Sequence, residues 1–510
     1  MSGRFRRFTR SWLCLLIAVM PGYAMPVQTC AQEATSSAGA PQLGESDDVG
    51  DYMTIPAFAG LTFHNPVRLT HDPRGDRYYL AEQAGRVYAF ENVPDTTDKH
   101  LVLDIADQTQ GFLGAGLLGF ALHPEFGLAD SPNRGYFYVW YTHSTHPVGT
   151  SDEDTPWDSP ATTRLSRFKI PDGTLTANPD TECVMIDQKS YWLIHNGGAM
   201  FFHPDDGFLY LTVGDDDAHG GELLDAAQRI DRSLTGGVLR IDVDRDPERS
   251  HPIRRQPIDG VTGHYFVPDD NPFVSPDGDA LEELWCIGLR SPHTMTHDPV
   301  TGRIFSGDVG LSSIEEVNLI ERNANYQWPF REGDGPGETD PPADPIGREA
   351  GPVHAYNHAH NDKSVIGGYV HRGEALPELT GKFIFGDNVS NRIWSLEYHD
   401  ETQPPTIVEL SMLAGETGEI GGITDFTPSA EGDILVLRMG RSRIAKLLAR
   451  AVEPQPTPAQ SEPGAQATGQ PTPTLDDTTT VAPSCGAGMM PAAAFATLGL
   501  LFMHRPRGRR

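Results

Sequence analysis

His195-Asn196-Gly197-Gly198 is the stretch of this chain best suited to proton chemistry. An imidazole titrates near working pH, so it can both take and release a proton. The Asn-Gly-Gly behind it supplies a turn in which backbone and ring can approach a ligand closely. Next, His203-Pro204-Asp205-Asp206-Gly207 reads as a turn feeding an alternating apolar strand, Phe208 to Val213. The strand unit recurs along the chain and the His195 motif does not. Recurrence marks scaffold; the unique motif is the candidate for chemistry. His123 and His203 each precede proline in a turn and read as structural. Asp215-Asp216-Asp217 reads as a solvated acidic loop, with cation binding as the sharper alternative. Tyr356, His358, His360 and Asp362 lack a diagnostic metal spacing and read as a polar loop. The sequence contains no nucleophile elbow, Walker loop or Rossmann glycine pattern.

The elements that must position His195 are strands. A turn ending in glycine precedes an alternating run at Gly75–Leu80, Gly135–Trp140, Gly207–Leu211, Gly302–Phe305, Gly381–Phe385 and Gly432–Leu437. Partner strands follow at 85–88, 163–168, 237–241 and 392–396. One such meander cannot bury both faces alone, and radial stacking solves that problem. Six units predict an all-β, six-bladed propeller over residues 51–449, with long loops between blades. Leu223–Ile230 is the one short helical stretch, so a parallel α/β sheet is excluded.

The chain has 510 residues, with 53 Gly and 42 Pro, and a formal net charge of -31. Such a surface repels nucleic acid and anionic membrane and suits small neutral substrates or cations. Arg4 to Arg10 followed by the apolar run Trp12–Met20 reads as a signal peptide spanning residues 1–31, which predicts export to the periplasm, cell surface or medium. The Pro/Thr-rich segment 450–484 reads as a disordered stalk. Residues 485–510 combine Cys485-Gly486, a short apolar run and a basic terminus, the pattern of a sorting or membrane-anchoring segment. Five cysteines are too few for a disulfide framework, and whether Cys183 and Cys286 pair stays open.

Several motifs then occur in a fixed order. They are Gly116-Leu117-Leu118-Gly119-Phe120-Ala121-Leu122-His123-Pro124-Glu125-Phe126, the His195 motif, Gly288-Leu289-Arg290-Ser291, Gly307-Asp308-Val309-Gly310 with Glu315-Glu316-Val317-Asn318, Asn325-Tyr326-Gln327-Trp328-Pro329, and Gly367-Gly368-Tyr369-Val370-His371-Arg372-Gly373. The set resembles the glucose/sorbosone dehydrogenase family over most of residues 55–448. The resemblance implies a six-bladed propeller that binds pyrroloquinoline quinone (PQQ) beside Ca2+ and oxidises the anomeric carbon of an aldose to a lactone, passing electrons to an unidentified acceptor.

By position, the resemblance makes His195 the base and puts Arg290 beside the quinone oxygens. It assigns Ser291, Tyr326 and Arg372 to the cofactor. Calcium falls to the carbonyls of Gly310 and Leu311, with Glu315 adding charge. The sequence departs from the family pattern at Gly114, where a glutamine is expected, at Ser291 for asparagine and at Leu311 for proline. It lacks the paired arginines expected near Gly421-Gly422. The family also contains propellers that bind proteins without a quinone, so a non-catalytic surface propeller binding carbohydrate or protein is the alternative. A metal-dependent lactonase is a minor third reading.

Overall fold

Alternating strands closed by glycine turns form antiparallel meanders, each with two apolar faces to cover. The computed structural model describes residues 51–75, 77–111, 114–145, 161–216, 225–412, 422–439 and 443–450. All of them belong to the first of the two units into which the chain divides, Met1–Ala451 and Val452–Arg510. The signal peptide, the stalk beyond residue 450, the C-terminal segment and Asp217 lie outside the described residues.

The described residues form an all-β propeller. Sheet A contains Pro66–His71, Arg77–Glu82, Arg86–Glu91 and His100–Asp104. Sheet B contains Leu117–Leu122, Tyr136–His143, Ala161–Lys169, Cys183–Ser190 and Gly260–Thr262. Sheet C starts with Met200–Phe202, Leu209–Val213, Gly237–Ile241 and Leu284–Ile287, and two short parallel pieces, Ala324–Asn325 and Arg348–Glu349, extend it. Sheet D is Pro292–His297, Ile304–Asp308, Ile314–Leu319 and His354–Asn357. Sheet E is Val365–Val370, Phe383–Asp387, Ile393–Glu397 and Thr406–Glu409. Sheet F is Ile423–Pro428, Ile434–Arg438 and Arg443–Ala449, completed by the N-terminal strand Tyr52–Pro56. That pairing joins the two ends of the domain and removes a free edge.

The first strand of each sheet packs on the first strand of the next, and the first strand of sheet F packs back on that of sheet A. Neighbouring inner strands run in the same direction. Thr424 and Thr427 donate their hydroxyls to Pro66 O and Leu69 O in turn, at 2.8 and 3.0 Å. Each first strand therefore has a leading end and a trailing end shared around the ring.

An apolar layer fills each space between neighbouring sheets. Leu165, Ile186, Leu211 and Leu239 join sheets B and C, and Phe305, Val317, Phe383 and Phe385 join D and E. This burial is the main stabilising term, worth roughly 1.5–3 kcal/mol per large side chain.

The hairpin turns follow the expected chemistry. Gly207 has φ 75°, where a side chain would be strained. Gly135 is fixed by space instead, because a Cβ there would lie 2.3 Å from Ile170 O. The expected helix at Leu223–Ile230 reduces, among described residues, to the single 3-10 turn Ala226–Gln228. Cys183 and Cys286 are free thiols. Among the described residues no helix is long and apolar enough to cross a membrane.

Candidate functional site

Two leading-end turns place the site. Residues 195–198 run into Met200–Phe202 of sheet C, and Arg290-Ser291 runs into Pro292–His297 of sheet D. Asp215 follows the second strand of sheet C at the same end, and its N–H donates to Arg290 O at 2.8 Å. Gly214 is held between the two turns: a Cβ there would lie 1.9 Å from His195 O and 3.0 Å from Arg290 O.

His195 sits in the left-handed region at φ 56°, a conformation costly for a residue with a side chain. Its Nδ1 lies 2.8 Å from Asp215 Oδ1. The other Asp215 oxygen accepts the indole N–H of Trp328 at 2.7 Å. The imidazole and carboxylate are only 11% and 6% exposed, so their attraction is weakly screened. A carboxylate can only accept, which puts the proton on Nδ1 and makes Nε2 the basic nitrogen. Behind Trp328, Gln228 donates to Trp328 O at 2.7 Å and exchanges amide hydrogen bonds with Asn325.

Arg290 is buried. Its Nη1 donates to Val309 O at 3.0 Å and Gly310 O at 2.6 Å, and its guanidinium lies 5.3 Å from the centre of the Trp328 ring. Its Nε is buried and has no acceptor among the described residues. Asp308 accepts the backbone N–H groups of Arg290 and Ser291 at 2.9 and 2.5 Å. Burial, and then the charge of Glu316, raise the Asp308 carboxyl well above the usual carboxylate range.

Asp215 and Asp216 correct the expectation of a solvated loop, because both are buried. Asp216 caps the 190–192 turn, accepting from Ser190 Oγ at 2.8 Å and from the N–H groups of Tyr191 and Trp192. Burial pushes its carboxyl up to about 8. Neither carboxylate is spare for a cation.

The calcium ligands taken from the resemblance do not assemble. Arg290 occupies the Gly310 carbonyl. The N–H groups of Leu311, Ser312, Ser313 and Ile314 converge on Glu332 Oε1 at 2.8 to 3.3 Å. One Glu315 oxygen meets His358 Nε2, just past the last strand of sheet D, at 2.8 Å, and the other accepts the Val365 N–H of sheet E at 3.0 Å. Among the described residues no group of three or more His, Cys, Asp or Glu side chains could hold a metal. The residues of the turn therefore do not fit calcium. The Tyr356–Asp362 cluster disperses too: Tyr356 bonds Asp387, His358 bonds Glu315 and Asp362 bonds Arg392.

Two residues that the resemblance assigns to the cofactor are engaged elsewhere. Tyr326 is buried in the layer between sheets C and D, with its hydroxyl donated to Leu319 O. Trp328, two residues on, faces His195's partner instead. Arg372 follows the trailing end of Val365–Val370, and its guanidinium forks onto Asp298, with Nε on Oδ1 at 2.9 Å and Nη2 on Oδ2 at 2.5 Å. Arg372 therefore sits at the wrong end to share a ligand with His195. Gly114 packs closely against the residues that lead into His195. A Cβ there would lie 3.0 Å from Ile194 Cα, and the Gly114 carbonyl accepts from Asn196 Nδ2 at 3.1 Å.

Asp215 and Trp328 escaped the sequence reading as functional residues. The available signal was that Asp215 follows a strand whose neighbour starts beside His195. The role of Glu332 had no sequence signal.

The family described as Glucose / Sorbosone dehydrogenase matches residues 63–259 and 260–442. HIPL1 protein of Arabidopsis thaliana is 34% identical over 214 residues, covering 39% of this chain and 29% of that protein. HIPL2 protein of the same plant is 28% identical over 374 residues, covering 64% and 51%. The chain thus spans about half or less of these relatives. The PQQ-bound form of an aldose sugar dehydrogenase from Streptomyces coelicolor shares the fold, with a TM-score of 0.50, 18% identity and coverage of 79% of this chain and 100% of that one.

Proposed function

The chain belongs to the glucose/sorbosone dehydrogenase family, and from that premise we propose that it is an exported, PQQ-dependent sugar dehydrogenase oxidising the anomeric carbon of an aldose to a lactone. The His195–Asp215–Trp328 chain of hydrogen bonds carries this reading. We read each of the six larger sheets as one blade, with the site on their leading ends.

His195 Nε2 accepts the proton of the anomeric hydroxyl. Asp215 compensates the charge of the resulting imidazolium, and Trp328 holds that carboxylate in place. The imidazolium then releases its proton to solvent. When bound, the quinone supplies the two-electron acceptor for the hydride leaving the anomeric carbon. The residues fit this group through Arg290, whose buried Nε lacks an acceptor among the described residues, with Ser291 beside it and the Trp328 ring across from it. A fixed cation there stabilises negative charge on an oxygen.

The N-terminal basic and apolar segment supports export, and the C-terminal apolar run with its basic end supports surface attachment. A non-catalytic surface propeller is the second reading, favoured by Gly114 and the closed Gly310 turn. Dye-linked oxidation of an aldose panel, with and without added PQQ, separates the two. The dehydrogenase requires PQQ-dependent turnover and retention of one quinone per chain. A folded protein that neither retains quinone nor turns over is the binding propeller.

A further inference from the structure

The turn at residues 309–314 carries a built-in cation. Arg290 Nη1 donates to both Val309 O and Gly310 O, so a guanidinium already sits on the carbonyl side. On the other side, Glu332 Oε1 gathers the four successive N–H groups of residues 311–314. The turn is thus held between a fixed positive and a fixed negative group.

A divalent cation needs six to eight oxygen ligands and a local excess of negative charge. Here the Val309 and Gly310 carbonyls are already taken by the guanidinium. The nearby carboxylates are already committed: Asp308 to the Arg290 and Ser291 N–H groups, Glu316 to the Gly333 N–H and Asn318, and Glu315 to His358 and the Val365 N–H. An incoming divalent ion at the Gly310 carbonyl would meet the guanidinium at close range, where like charges oppose each other.

We infer that in this chain Arg290 takes the cation position of the 309–314 turn, and that the turn binds no divalent metal. Any ligand oxygen reaching this corner meets a guanidinium in place of a metal ion. The inference concerns the free protein and stands whether or not a sugar is oxidised.

The indole of Trp328 beside the guanidinium supplies a local readout, because bound terbium emits when a neighbouring tryptophan transfers energy to it. Terbium is titrated into the folded domain and competed with calcium. The wild type is expected to give no emission that disappears in W328F. R290M vacates the carbonyls and is expected to gain calcium-competed emission, lost again in R290M/W328F. Wild-type emission that depends on Trp328 overturns the inference, and so does a folded R290M that gains none. If R290M does not fold, the comparison of wild type with W328F decides alone: no Trp328-dependent emission supports the inference and its presence overturns it.

Discussion

The two ends of the inner strands carry the same residue types and use them differently. At the trailing end, His123 and His203 accept the N–H groups of Glu125 and Asp205 through Nδ1, capping their own hairpin turns. There Arg372 forks onto Asp298, which itself caps the turn at Val300. At the leading end, His195 presents Nδ1 to a buried carboxylate instead, and Arg290 reaches two carbonyls of a neighbouring turn while its Nε has no acceptor among the described residues. A histidine that accepts from its own turn is spent on structure. One that donates to a buried carboxylate has its tautomer fixed, with Nε2 as the basic nitrogen.

Substitutions can break this contrast. D215N removes the charge that supports the imidazolium and is expected to lower turnover about 10³-fold while the fold is kept, as steady-state kinetics and circular dichroism will report. W328F keeps an aromatic ring but deletes the indole N–H. It should cost about tenfold in turnover and shift the pH profile, since the carboxylate loses a charge-assisted partner. R372Q at the other end should leave turnover unchanged and lower unfolding stability by about 1–3 kcal/mol in denaturant melts, because Asp298 is left buried with fewer donors. A loss of turnover in R372Q equal to that in D215N would erase the distinction between the ends.

A smaller effect sharpens the electrostatics. Burial raises the carboxyls of Asp216, Glu283 and Asp425 to about 8, 7 and 6. Raised carboxyls give stability that is complete below their unfolded values near 4 and is lost as pH climbs through the folded ones. The melting temperature should therefore fall by several degrees between pH 5 and pH 8.5, over and above any change in a D216N/E283Q/D425N triple variant. An equal pH dependence in that variant would remove these groups from the account.

The scaffold was largely legible because its signals are local. The strand at Gly237–Ile241 appears as expected, and residues near 51 and 449 mark the ends of the paired strands that close sheet F. Leu284–Ile287 and the two parallel pieces beyond it were missed, because their pairing depends on contacts across long loops. His195 and Arg290, whose motifs are unique in the chain, fall on neighbouring turns joined through Gly214 and Asp215. The site was misread at Tyr326, where alternation along the backbone sends Trp328 toward Asp215 and Tyr326 into the core. Arg372 was misplaced because order along the sequence does not say at which end of a strand a residue falls. The Gly310 turn was misread because Arg290 and Glu332, distant in sequence, close it from both sides.

The central claim is that His195 is the base and the turn histidines are scaffold. Its most direct test is PQQ-reconstituted, dye-linked aldose oxidation by the wild type, H195A and H203A, each checked for folding and quinone retention. The account predicts turnover lowered about 10³-fold or more in H195A and near wild-type turnover in H203A. Undiminished turnover in a folded, quinone-loaded H195A would contradict it.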